Sequence, residues 1–264
     1  KTTFAGLSLR NPIIISSSGL TNSVGKNKKL AEDGAGAVVL KSLFEEQIML
    51  EADQLKDPAF YPEASDYREE YIREHELSEY LTLIKESKKV CPIPIIASIN
   101  CYTDSEWIDF AKKIEEAGAD ALEINILALQ SELQYTYGSF EQRHIDILRR
   151  IKQTVNIPVI MKLGDNLTNP VVLIDQLYAN GAAAVVLFNR FYQPDINIEK
   201  MEHMSGEIFS NASDLANPLR WIGIASAVVD KIDYAASGGV ANAESVVKAI
   251  LAGASAVEVC SAVY

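Results

Sequence analysis

Eight short apolar segments recur along the chain, and a longer, mostly amphipathic stretch separates each from the next. They cover residues 13–16, 37–41, 95–99, 121–126, 159–162, 184–188, 234–236 and 256–260. Apolar residues are continuous in these segments rather than alternating with polar ones, which is typical of parallel strands buried on both faces. Eight such strands alternating with helices in 264 residues predict an α/β fold, the TIM (β/α)8 barrel.

The stretches between the strands have the periodicity of helices that pack one face against a core. Apolar side chains recur three or four residues apart over 107–117, 144–155, 171–179 and 243–251. An open, doubly wound sheet is the competing architecture. The barrel is favoured because no G-x-G-x-x-G dinucleotide motif follows the first strand.

Both ends of the chain bear on how complete the barrel is. Residues 3–9 are predicted to form a small β-hairpin that closes the bottom of the barrel. The chain stops at Tyr264, directly after the eighth strand, so we expect the last helix to be missing. We expect residues 1–264 to form a single barrel domain.

Composition excludes several classes of protein. Lysine and arginine number 24 against 36 aspartate and glutamate, so a basic surface for nucleic acid is not expected. No apolar run approaches the roughly 20 residues that cross a bilayer, and the N-terminus lacks a secretory pattern. The three cysteines, Cys91, Cys101 and Cys260, are too scattered for a zinc site and fit a reducing compartment. We therefore expect a cytoplasmic protein without a metal.

The carboxyl ends of the strands carry small, amide and cationic residues. In a TIM barrel these ends meet at one rim and form the active site. Two lysines and three asparagines there are more than a purely structural barrel needs. In chain order the candidates are Ser17, Ser18, Gly19, Lys41, Ser42, Asn100, Asn125, Lys162, Asn189, Arg190, Gly238, Gly239, Cys260 and Ser261.

The ends of the last two strands predict a phosphate site. Gly238 and Gly239 offer backbone N–H groups next to the start of a helix, and Cys260 and Ser261 follow the neighbouring strand. Loops after strands 7 and 8 are where TIM barrels hold phosphate. A plain glycine-rich turn is the alternative interpretation.

FMN is a phosphate compound that would use the other strand ends as well. Small residues at 17–19 let a flat ring lie against the backbone, and Asn100 and Asn125 can hydrogen-bond its polar edge or a stacked substrate. Lys162 can place positive charge near the N1–C2=O side of the ring, where reduced flavin is negative. FMN is therefore the predicted cofactor.

The order of these motifs resembles the dihydroorotate dehydrogenase family of FMN-binding TIM barrels over nearly the whole chain. The matching pieces are Asn11-Pro12, Ser17-Ser18-Gly19, Lys41-Ser42, Glu123-Ile124-Asn125, Lys162, Asn189, Gly238-Gly239 and Val259-Cys260-Ser261. The resemblance implies flavin-dependent oxidation of dihydroorotate or a related small molecule in pyrimidine biosynthesis, by a homodimer. It also implies FMN contacts from the strand-end residues, substrate contacts from Asn125 and Asn189, and catalytic roles for Lys162 and Asn125.

The chain departs from the family pattern after the fourth strand. The family has a Ser-Cys-Pro-Asn-like motif there, whose Cys, or Ser in other classes, removes a proton from dihydroorotate. Residues 126–130 read Ile-Leu-Ala-Leu-Gln instead, and Ala128 cannot accept a proton. Losing a general base costs about 10²–10⁴-fold in rate, so we expect a different planar, anionic substrate. Candidate replacement bases are Cys101, Tyr102, Tyr135 and Tyr137.

Arg190 is a second departure. A guanidinium binds carboxylates through two hydrogen bonds, so Arg190 suits an anionic substrate. The alternative is a surface residue paired with Asp195.

Two other functions remain open at this point. One is a phosphate-binding lyase or isomerase without redox chemistry, with Lys162 as a base or Schiff-base amine. The other is a flavin-binding protein without catalysis of its own, which the loss of a base at Ala128 motivates.

Overall fold

The computed structural model describes residues 1–44, 63–101, 107–126, 128, 130–131, 133, 135–191 and 193–264. In chain order its strands are β1 (Thr2–Phe4), β2 (Leu7–Leu9), β3 (Ile13–Ile15), β4 (Ala37–Val39), β5 (Leu43–Phe44), β6 (Ile95–Asn100), β7 (Ala121–Asn125), β8 (Val159–Gly164), β9 (Ala184–Asn189), β10 (Pro194–Asn197), β11 (Glu202–Ser205), β12 (Asp233–Ser237) and β13 (Ala256–Val259). The barrel runs through β3, β4, β6, β7, β8, β9, β12 and β13, with every neighbouring pair parallel and β13 pairing back to β3. The TIM barrel prediction is confirmed, with all eight strands at the expected places.

Helices cover the outside of the barrel. They are α1 (Val24–Glu32), α2 (Glu63–Val90), α3 (Trp107–Glu116), α4 (Ser139–Lys152), α5 (Pro170–Ala179), α6 (Ala216–Ser226) and α7 (Ala243–Leu251). The prediction for α4 began too late, at residue 144. Phe140, four residues before His144, is buried with it, and polar residues around it obscured this first turn. After β13 the described chain forms a short 3-10 turn, Ser261–Val263, and no eighth helix.

The predicted hairpin closes the amino-terminal end of the barrel. β1 and β2 pair antiparallel, the backbone N–H of Ala5 donates to Asp233 at 2.8 Å, and Thr2 Oγ1 donates to the carbonyl of Ser255 at 3.2 Å. Its apolar residues join inward-facing barrel residues in a cluster that we call the floor layer. The floor layer comprises Phe4, Ala5, Leu9, Ile14, Ala37, Val39, Ile96, Ala121, Ile160, Ala184, Val186, Ala235 and Ala256.

Two features were not predicted. β5 adds a short pairing to β6 beyond β4, and β10 pairs antiparallel with β11 in an exposed hairpin after β9. Among the described residues, no helix combines the length and the apolar character needed to cross a membrane.

Candidate active site

Polar side chains occupy the barrel interior directly above the floor layer. Side chains on a strand alternate between faces, so the residue two positions beyond an inward-facing residue also faces inward. On five strands this next inward residue is polar and buried. We call these five the polar layer: Ser16, Ser98, Glu123, Lys162 and Glu258.

A lysine between two glutamates is the centre of the polar layer. Lys162 Nζ lies 2.6 Å from Glu258 Oε2 and 3.6 Å from Glu123 Oε1, and it donates to Ser16 Oγ at 3.0 Å. Ser16 Oγ donates in turn to Glu258 Oε2 at 2.9 Å. The lysine is 5% exposed and the glutamates 1–2%, so water does not screen these charges.

The two carboxyl groups differ in their surroundings. Burial raises the pKa of Glu123, and the neighbouring Glu258 raises it further, so Glu123 favours its protonated form. Burial opposes ionisation of Glu258 too, but the charge of Lys162 together with the hydrogen bonds that Glu258 receives outweighs it and lowers the pKa of Glu258. Burial alone would lower the pKa of Lys162, yet both carboxyl groups together raise it. The lysine therefore stays charged, with Glu258 as its ionised partner.

A chain of hydroxyl groups connects the polar layer to the rim. Ser98 Oγ lies 3.4 Å from Glu123 Oε1 and 2.8 Å from Ser42 Oγ, which is 3.0 Å from Ser17 Oγ. The Tyr80 hydroxyl on α2 fixes the strand here, since it accepts from the backbone N–H of Ser98 and donates to its carbonyl. Ser17 and Ser42, predicted from different strand ends, are thus in direct contact.

One cavity of about 160 Å³ brings together eight of the predicted site residues. Its walls also include Ser16 and Glu258 of the polar layer. A second cavity, of about 350 Å³, shares part of this wall, including Asn189, Arg190 and Gly238. The eight predicted residues around the first are Ser17, Lys162, Asn189, Arg190, Gly238, Gly239, Cys260 and Ser261.

The turn after β12, where the sequence predicted a phosphate site, is built on two consecutive glycines. Gly238 and Gly239 both have left-handed φ angles, +91° and +71°. A Cβ on Gly238 would meet open space, whereas one on Gly239 would collide with the backbone of Leu215. Ser261 Oγ accepts from the backbone N–H of Ser210 at 2.9 Å, which fixes the facing turn. Both turns contribute residues to the wall of the same cavity.

Asn125 provides a test of whether a cofactor fits. It lies next to Asn100 and Lys162 in strand register and is buried, but its Oδ1 has no hydrogen-bond partner among the described residues. A buried acceptor without a partner is costly, so a ligand N–H is the expected donor. The FMN ring carries an imide N–H beside carbonyl groups. The donor and acceptor set at this rim therefore fits FMN.

Other candidates lie away from this cavity. Ser18 caps the 3-10 turn Gly19–Thr21, and Gly19 faces the Tyr264 hydroxyl. The Lys41 side chain is exposed and lines, with Ser42, a separate cavity of about 360 Å³ next to α2.

Arg190 does not pair with Asp195, and that alternative is wrong. Its Nη1 donates to the carbonyl of Ile208 at 2.8 Å, and its Nε lies 3.8 Å from Asp214. These contacts turn the guanidinium toward the cavity wall because Ile208 is part of that wall. The neighbouring Asn189 Oδ1 accepts from the backbone N–H of Arg190 at 2.9 Å.

The base position and its candidate substitutes differ in their surroundings. The carbonyl of Ala128 accepts from Asn166 at 2.9 Å, and its methyl side chain offers no acceptor. Cys101 is buried, Tyr137 is almost fully exposed with its ring against Tyr135, and Tyr102 lies outside the described residues. No group of three His, Cys, Asp or Glu in the described chain is placed to hold a metal.

Sequence reasoning missed Glu258 and the part that Glu123 plays. Each is a single acidic residue inside an otherwise apolar strand, at an inward position two residues beyond alanine. That placement was visible in the sequence, because a charge in a strand buried on both faces needs a partner. The strand order then supplies Lys162 as that partner.

Comparisons with known proteins agree on one family. A family model described as dihydroorotate dehydrogenase matches residues 71–264. A Thermoplasma volcanium protein named dihydroorotate dehydrogenase B (NAD(+)), catalytic subunit, is 30% identical over 100% of this chain and 86% of its own length. A Methanosarcina mazei protein of the same name is 29% identical over 99% and 84%. A Lactobacillus helveticus dihydroorotate dehydrogenase A (fumarate) is 28% identical over 70% and 61%.

Proposed function

Because the chain belongs to the dihydroorotate dehydrogenase family, we propose that it is an FMN-dependent oxidoreductase acting on a CH–CH bond of dihydroorotate or a related planar anion. The observation that carries the proposal is the convergence of Lys162, Asn189 and the Gly238-Gly239 turn on one cavity at the carboxyl rim. Active sites of TIM barrels lie at that rim.

Different residues of the chain would hold different parts of the cofactor. Backbone N–H groups at Gly238 and Gly239, with Ser261 opposite, hold the phosphate. Asn125 Oδ1 would accept a ring N–H, and Lys162 lies on the wall of the cavity that would hold the ring. When bound, FMN supplies the two-electron acceptor. The same proposal assigns cofactor contacts to Ser17, Ser18, Gly19, Lys41, Ser42, Asn100 and Cys260.

An absorption spectrum of the purified protein tests the proposal. We expect a bound yellow chromophore that extracts as FMN. Anaerobic dihydroorotate that bleaches it within seconds identifies that substrate and shows that another residue replaces the base missing at Ala128. A stable yellow colour indicates a different substrate. Since relatives are named for NAD(+) and for fumarate, both are the acceptors to try first.

Arg190 is proposed to bind the carboxylate of the substrate, together with Asn189. We expect Arg190→Ala to weaken a carboxylate ligand such as orotate by about 10- to 100-fold, the loss of one charged hydrogen bond. Titration of the FMN absorbance with ligand measures it. Lys200→Ala, an exposed cation on the β10–β11 hairpin, is the control. Unchanged affinity in the Arg190 variant would remove it from this role.

A phosphate-binding lyase or isomerase is the competing function. It would take its phosphate from the substrate at the same glycine turn. A colourless protein that cannot be reconstituted with FMN would favour it. A yellow protein that no electron donor reduces would favour a flavin-binding protein without catalysis of its own.

The proposal extends to a cytoplasmic homodimer. Cys91, Cys101 and Cys260 form no disulfide bond, as in a reducing compartment. Exposed apolar side chains on and beside the β10–β11 hairpin, including Ile196, Met201 and Met204, support self-association. Sedimentation equilibrium of the holoprotein tests it, and a monomer at micromolar concentration would contradict it.

A further inference from the structure

The cluster of Glu123, Lys162 and Glu258 contains more acidic groups than basic groups. One lysine faces two carboxyl groups, and all three side chains are buried. If both glutamates were ionised, the cluster would carry an unpaired negative charge inside the barrel. Buried unpaired charges are neutralised by a proton rather than kept.

The hydrogen bonds show where that proton is needed. Glu258 Oε2 accepts from both Lys162 and Ser16 at 2.6 and 2.9 Å. Glu123 Oε2 has no donor among the described residues, and both carboxyl groups lie beside the same Lys162 Nζ, at 3.6 and 2.6 Å. Two carboxylates can share a hydrogen bond only when one of them is protonated. Glu123 has the weaker set of donors, because its Oε1 accepts only from Ser98 Oγ, at 3.4 Å, and its Oε2 has none.

We propose that Glu123 and Glu258 are positioning residues that hold one proton between them and together cancel the charge of Lys162, so that a flavin in the adjacent cavity meets no net positive charge there. This inference rests on the proposed function and deepens it. The sequence alone suggested that Lys162 would stabilise the negative charge of reduced flavin. The cluster removes that effect, because the ammonium and its counter-ion lie 2.6 Å apart.

The two glutamates also substitute for each other. In Glu258→Gln, Glu123 can release its proton and pair with Lys162, and in Glu123→Gln, Glu258 is already ionised. Each single variant therefore keeps one negative charge beside the lysine. The double variant Glu123→Gln/Glu258→Gln leaves the lysine charge uncancelled, although side-chain size is nearly unchanged.

Midpoint potentials of bound FMN test this without any turnover. The four holoproteins are reconstituted with FMN and reduced chemically, and the affinity for oxidised FMN is measured separately. The preference for reduced over oxidised FMN is the ratio of the two affinities, and we expect each single variant to change it less than threefold. We expect the double variant to raise this preference about tenfold or more, which for two electrons raises the midpoint potential by about 30 mV. This non-additivity is the diagnostic result.

Two results with the glutamate variants would overturn the inference. One is a single variant that shifts the potential as far as the double variant, and the other is a double variant with an unchanged potential. Lys162→Gln decides the matter if the double variant does not fold. Without the lysine, Glu258 should take up a proton as well, so that the cluster stays neutral and the preference changes less than threefold. A tenfold loss would show that the lysine does deliver its charge. Wild-type protein that binds no FMN overturns the proposed function and this inference together, whereas FMN binding with unchanged potentials overturns the inference alone.

Discussion

The floor layer and the polar layer are built from the same strands, two residues apart, and have opposite chemistry. Ile160 and Ala256 belong to the apolar floor, while Lys162 and Glu258 on the same strands form the buried ion pair above it. The hairpin seals the floor, and the cavity opens next to the polar layer. Along each of these strands, the residue that stabilises the fold therefore lies at the hairpin end, and the polar residue beside the cavity lies two positions further on.

The largest effect is expected in the floor layer. Phe4 is fully buried on the hairpin, so Phe4→Ala should lower the free energy of unfolding by about 4 kcal/mol through lost burial and a cavity. The affinity for FMN of the folded fraction should not change. Urea unfolding and FMN titration measure the two quantities. Phe4→Leu, which keeps most of the volume, should cost much less. Weaker FMN binding in folded Phe4→Ala would break the separation of the two layers.

Acid sensitivity should come first from a residue outside both layers. His144 on α4 is buried, and its Nδ1 donates to the carbonyl of Phe140 at 2.8 Å. Burial lowers the pKa of His144 to about 4, so the unfolded chain takes up a proton before the folded protein does. Stability should therefore fall by about 3 kcal/mol between roughly pH 6.5 and 4, and His144→Phe should abolish that loss.

Denaturant unfolding at several pH values checks this, with exposed His203→Phe as the control. If His144→Phe retained the full acid loss, the polar layer would be the acid-sensitive region instead.

A smaller effect of opposite sign is expected at Glu123. Burial and Glu258 raise its pKa, so the folded protein keeps a proton that the unfolded chain releases as pH rises past the ordinary glutamate value. That difference costs stability at high pH. Glu123→Gln should therefore gain stability relative to wild type as the pH rises from 4 to 8. Exposed Glu199→Gln should gain nothing, and equal behaviour of both variants would place the shared proton elsewhere.

The strands were predictable because burial on both faces leaves continuous apolar runs, as in residues 121–126 and 184–188. The rim was predictable too, because parallel strands all end on one side. The partners of individual side chains were not predictable from the sequence. The sequence offers several acidic partners for Arg190, and the fold selects Asp214 and the carbonyl of Ile208. The Glu123–Lys162–Glu258 cluster required the order of strands that are distant in sequence.

The hairpin that seals the floor cannot complete its contacts until its partner residues have been synthesised. Its partners are Asp233 and Ser255, and β3 pairs with β13, so Thr2 and Ala5 bond with residues that lie 253 and 228 positions later in the chain. At roughly 5–20 residues per second a ribosome needs tens of seconds to deliver those partners. Until then Phe4 and Leu9 have no enclosed site, and Glu258, the counter-ion of Lys162, has not been made. The apolar floor and the charge cluster are therefore completed together, when the last strand closes the barrel.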